Sequence, residues 1–176
     1  MSSQPNRFAY LLDQVASLLK RQQYDTALET LHVLSQAAMQ QNLQLILQRY
    51  LAELSMECLE LCGQLKTALD ICEHSIQQYQ LQSEPLSTDA QKDLITLELR
   101  KLCLLIKLDR RNEASIQSKH ILTLCSLKQQ ISLQPVITRL NRFSSASHIH
   151  LTKEQKHIGL FHLSEKLINE GAEAFS

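Results

Sequence analysis

Apolar residues recur at three- and four-residue intervals through most of the chain, the spacing that lays one face of a helix against a core. Phe8, Leu11, Leu12, Val15, Leu18 and Leu19 form the first strip, predicting a helix from Asn6, a candidate cap, to about Gln22. Ala27, Leu28, Leu31, Leu34 and Ala38 form the next, predicting a helix over roughly 26–40. Asn42 is placed to open a long third helix reaching Cys62. There Leu43, Ile46, Leu47, Tyr50, Leu51, Leu54 and Cys58 line one face, while Leu45, Ala52, Met56 and Leu59 cover another. A helix apolar on two faces has neighbours on both.

Beyond Gly63 the pattern predicts a fourth helix over about 65–81 and a break at 82–87 around Pro85. Thr88 with Gln91 reads as a capping box for a fifth helix ending near Leu108. Its run Leu102-Cys103-Leu104-Leu105-Ile106 is the most apolar stretch, as befits a central helix. Asn112 is a candidate cap for a sixth helix over about 113–133, which Pro135 is expected to end. Residues 134–151 read as a linker or irregular segment, with Val136 to Phe143 either a short helix or extended and Ser144-Ser145-Ala146-Ser147 the best linker candidate. Thr152 and Gln155 suggest a capping box for a last helix within 152–176, a terminal cap or a docking segment. Its partial stripe is Ile158, Phe161, His162, Glu165 and Ile168.

Three turns share a pattern. Gln22-Gln23-Tyr24-Asp25-Thr26-Ala27-Leu28, Gly63-Gln64-Leu65-Lys66-Thr67-Ala68-Leu69 and Asp109-Arg110-Arg111-Asn112-Glu113-Ala114 each place a small Ala where two helices would converge. The Ala positions 27, 68 and 114 are spaced by 41 and 46 residues, within the range of solenoid arrays. In these residues the chain resembles the tetratricopeptide repeat family. The spacing is longer than the roughly 34 residues usual there, and no Trp or Pro stands at the family's positions. The resemblance implies an all-α fold over residues 1–133 of stacked antiparallel helical hairpins, a right-handed superhelix whose concave face binds a peptide or helix. If the groove follows that family, outward residues of helices one, three and five line it: Gln14, Gln48, Arg49, Glu53, Arg100 and Lys101. A generic helical bundle shares the same packing rules.

Composition agrees with helix. Leu and Gln dominate, and only three Gly and three Pro occur. The formal charge is zero, but residues 1–90 carry five basic and ten acidic side chains, and residues 91–176 thirteen and eight. Arg110 and Arg111 fall at an expected turn, hence exposed, and join the candidate partner-binding residues. The basic half fits an acidic protein segment. It also admits a nucleic-acid-associated regulatory module, although Phe143 is the only aromatic between Gln80 and Leu160 to stack on bases. A third reading is a structural subunit of a larger α-solenoid.

Catalytic chemistry finds no foothold in the motifs. Three glycines cannot build a phosphate loop, and no nucleophile elbow or metalloprotease motif is present. Cys58 with Cys62, and His148, His150, His157 and His162, are metal-type residues in unsuitable spacing, so neither metal nor cofactor is expected. Five cysteines inside apolar patterns suit free thiols in a reducing compartment. With a polar N-terminus and no membrane-length apolar run, these features lead to the expectation of a soluble, cytoplasmic, non-enzymatic scaffold or adaptor.

Overall fold

A computed structural model describes residues 4–41 and 45–171. Among them the chain is all-helical, with no strand. The helices are α1 (Gln4–Lys20), α2 (Tyr24–Gln40), α3 (Leu45–Leu61), α4 (Leu65–Gln80), α5 (Thr88–Lys107), α6 (Arg111–Leu124), α7 (Leu127–Leu140), α8 (His148–His157) and α9 (His162–Glu170), with a 3₁₀ turn at Ser145–Ser147 before α8. The expected opening of the third helix at Asn42 and Leu43 lies outside the described residues, as does the side chain of Asn6. The α1 backbone is already helical before Asn6, so that residue does not stand at the cap position.

The chain divides into two compact units. One takes the sequence up to Gln64 and from Phe161 onward; the other runs Leu65–Leu160. In the first, α2 packs against both α1 and α3, and α9 packs against α1 and α3. Leu12, Val15, Leu19, Leu31, Leu34, Leu51, Leu54 and Leu167 meet in its core. In the second, α5 is central: α4, α6 and α8 pack against it, and α7 packs on α6. The segment Leu102–Ile106 is buried throughout, as its composition anticipates.

The three turns have one geometry. Gln22, Gly63 and Asp109 hold positive φ values of 57°, 81° and 60°. The next backbone N–H reaches back five residues: Gln23 to the Leu18 carbonyl, Gln64 to Leu59 and Arg110 to Leu105, at 2.9, 2.8 and 2.9 Å. The positive-φ residue bonds three back, to Leu19, Glu60 and Ile106. This paired arrangement satisfies carbonyls that the helix end leaves open. Five positions beyond each positive-φ residue stands Ala27, Ala68 or Ala114, all buried.

Several boundaries differ from the periodicity. Ser87, not Thr88, caps α5, accepting from the Ala90 N–H. The expected sixth helix over 113–133 is two helices. It stops at Leu124 because Ser126 and Gln129 form a reciprocal capping box for α7. Gln130 then donates to the Leu122 and Cys125 carbonyls at the end of α6, at 3.0 and 3.1 Å. Pro135 does not end α7. It and Ile131, whose carbonyl loses its N–H partner, are both exposed, so that carbonyl is not left unpaired in the core. Residues 134–140 therefore continue α7, and most of the expected linker is helical. Thr152 and Gln155 lie inside α8 and form no cap; the Thr152 hydroxyl donates back to the His148 carbonyl. The single expected last helix is divided into α8 and α9.

Candidate protein-binding surfaces

On α3, Glu53, Glu57 and Glu60 recur at helical spacing and are all buried, although that helix reads as apolar on both faces. Glu53 is paired with Arg49 one turn earlier at 2.6 Å. Glu57 is fully buried and does something periodicity does not reveal. Its two carboxylate oxygens accept from the backbone N–H groups of Leu163 and Ser164, at 3.2 and 2.7 Å. These are first-turn amides of α9, whose own N-cap, Phe161, supplies no side-chain bond. An anion there satisfies open donors and meets the positive end of the helix dipole.

Glu57 also shapes its neighbours. Burial raises the Tyr50 hydroxyl pKa, and the Glu57 charge adds to the rise. Burial chiefly, then Glu57 and Cys62, pushes the Cys58 thiol up to about 12. Cys58 is therefore a protonated core residue at neutral pH. Cys62 is half-buried, with its thiol donating to the Leu59 carbonyl at 3.4 Å.

In the second unit Glu98 bridges α5 to α6. Its carboxylate accepts from the Gln117 amide, which also donates to the Glu98 carbonyl at 3.0 Å, and it lies 3.4 Å from His120 Nε2. Arg100, expected to face outward, is fully buried, with its guanidinium donating to the Leu160 carbonyl. Arg100 is buried because α5 is surrounded, so few positions in its second half reach water.

The other expected partner-binding residues fare differently. Gln14 is exposed, donating to the Tyr10 hydroxyl at 3.0 Å. Gln48 is half-buried, and the expected outward Glu53 is instead buried against Arg49. Lys101 pairs with Glu73 of α4 at 2.9 Å. Arg110 is exposed and grips Glu113, its Nε at 2.7 Å, which holds the Glu113 carboxyl below its ordinary range. Arg111 donates to the Asn141 and Phe143 carbonyls just past α7, a cation at a helix C-terminus. Within the second unit, then, Arg100, Lys101, Arg110 and Arg111 are spent on internal partners.

Large apolar side chains are exposed at several places, among them Leu45, Ile46 and Leu81, and at the α6–α7 corner. Leu127 and Ile131 are one turn apart on α7 and are 79% and 77% exposed, and Leu124 at the end of α6 is 40% exposed. Residues 114–153 contain no Asp or Glu, and five Lys or Arg: Lys119, Lys128, Arg139, Arg142 and Lys153. The apolar pair escapes periodicity unless α7 is seen to start at Leu127. The one local sign of that start is Ser126 followed by Gln129.

Among the described residues no three His, Cys, Asp or Glu side chains converge as metal ligands, and no helix is long and apolar enough to cross a membrane. His148, His150, His157 and His162 are exposed, and all five cysteines are free thiols. No family model, curated protein or solved structure matches the chain.

Proposed function

We propose that the chain is a non-enzymatic interaction module that holds a helical segment of another protein. The observation that carries this is the α6–α7 corner, where Leu127 and Ile131, one turn apart on α7, are exposed while Ile137 and Leu140 of the same helix are buried. Paired apolar side chains at helical spacing are what a helix-in-groove contact uses as anchors. The same turn geometry at Gln22, Gly63 and Asp109, each followed by a buried Ala, supports a helical-repeat scaffold of the tetratricopeptide kind.

A photo-crosslinking residue placed at Ile131 of the full chain tests the reading in extract of the source cells. A discrete protein adduct is expected, absent when the crosslinker sits at exposed Ser17 of α1. No adduct, or the same adducts from both positions, rejects it.

A further inference from the structure

We propose that the outer face of α7 takes an acidic amphipathic helix from the partner protein, laid along Leu127 and Ile131. This rests on the protein-binding reading above and goes beyond it by fixing the partner's chemistry. Leu127 and Ile131 are exposed while Ile137 and Leu140 of the same helix are buried, so the exposed pair does not serve the unit's own core. Lys128 adjoins Leu127, Arg142 lies just beyond the end of α7, and Lys119 stands on α6, all exposed. None of these three holds an ion pair among the described residues, whereas Arg139 is matched by Glu154 at 2.7 Å. Residues 114–153 contain no acidic residue, and Glu113, in the first turn of α6, is held by Arg110.

An apolar pair with an unmatched cation beside it, on elements with a basic excess, selects a ligand with the inverse pattern. That ligand is a helix with apolar residues three and four apart, flanked by Asp and Glu. Nucleic acid fits less well, because phosphates gain nothing from Leu127 and Ile131, and Phe143, the one aromatic in the unit past Gln80, is half-buried. A strip only a few turns long makes a small interface, so binding is transient and weakens as salt screens the charges.

The probe is a labelled synthetic peptide of about four helical turns, leucines at three- and four-residue spacing and glutamates elsewhere. Its twin carries lysine for glutamate, and a single-stranded RNA is the third probe. Fluorescence anisotropy with the full chain is expected to show micromolar binding of the acidic peptide, weaker at high salt, and none of the lysine twin. Ile131→Ser and Lys128→Glu are expected to weaken it about tenfold each. Both residues are exposed, so the variants keep the wild-type melting curve. No binding of the acidic peptide, equal binding of the twin, or indifference to both substitutions overturns the proposal. So does RNA binding that depends on the same residues, or self-association that Ile131→Ser abolishes, which would make a second copy the occupant. A failed peptide with a persisting adduct at position 131 overturns this inference alone; loss of both removes the protein-binding reading as well.

Discussion

The Glu57 carboxylate lies 2.7 Å from the backbone nitrogen of Ser164, a residue 107 positions later in the chain. A buried side chain of α3 thus does for α9 what a local cap does for most helices. The arrangement ties α9 to α3, and α9 packs on α1 as well, with Leu167 as the apolar half of the attachment. Glu57→Gln keeps the shape but replaces one acceptor oxygen with a donor that faces N–H groups. It is expected to destabilise the chain by about 1–3 kcal/mol in urea unfolding. Amide exchange in α9 should speed up more than in α2. An unchanged midpoint with unchanged α9 protection would show that the bonds contribute nothing.

Two of the three positive-φ turn residues are not glycine. Gln22 and Asp109 adopt a conformation that an ordinary side chain enters at a cost of about 1–2 kcal/mol. Gln22→Gly and Asp109→Gly should therefore each stabilise, by about 0.5–1 kcal/mol after the extra entropy of glycine in the unfolded chain. The gain is larger at Gln22, since Asp tolerates the left-handed region better. Conversely, Gly63→Ala should cost about 1 kcal/mol through backbone strain alone, because an added Cβ meets nothing within 4 Å. Thermal melts of the three variants decide it; a loss of stability in both glycine variants would contradict the shared geometry.

Ala27 and Ala68 are fully buried. Leucine at either place must displace close-packed neighbours, and Ala27→Leu or Ala68→Leu should cost about 1–3 kcal/mol. Denaturant midpoints check this, and wild-type values for both would mean that space is available beside the helices.

Alkaline stability carries a sign. The Cys58 thiol is raised from 9.0 to about 12, mainly by burial. Below about pH 9 the thiol is protonated in both folded and unfolded chains, and its contribution to stability is complete. Between 9 and 12 the unfolded chain releases the proton while the folded one retains it, so stability falls as pH rises. Tyr50, also raised by burial, acts in the same direction above pH 10. Urea midpoints should decline from pH 9 upward, less steeply in Tyr50→Phe. A flat profile would mean that neither group is held from solvent.

The helical pattern was legible because it is local. The apolar spacing marked α1, α2, α4 and α5 to within a few residues, and the turns near Tyr24, Gly63 and Arg110 lie where the chain has them. The surface was legible only in part. The excess of basic side chains is visible in the composition, but Arg100, Lys101 and Arg111 read as available and are committed to internal partners. Leu127 and Ile131 fall inside the single helix that periodicity predicts over 113–133, so their place at the start of α7 is not visible from it.

The sequence by itself determined the elements whose cause lies within a few residues: helical period, turn signals, and small Ala beside each turn. Periodicity and turn chemistry act over one or two helical turns and need no knowledge of the rest of the chain. Only the tertiary structure decided that α9 returns to α1 and α3, that Glu57 caps it, that Arg100 is buried, and that Leu127 and Ile131 are left in water. Each of these depends on groups brought together across tens of residues, where burial and hydrogen bonding are set by the packed chain and not by its neighbours in sequence.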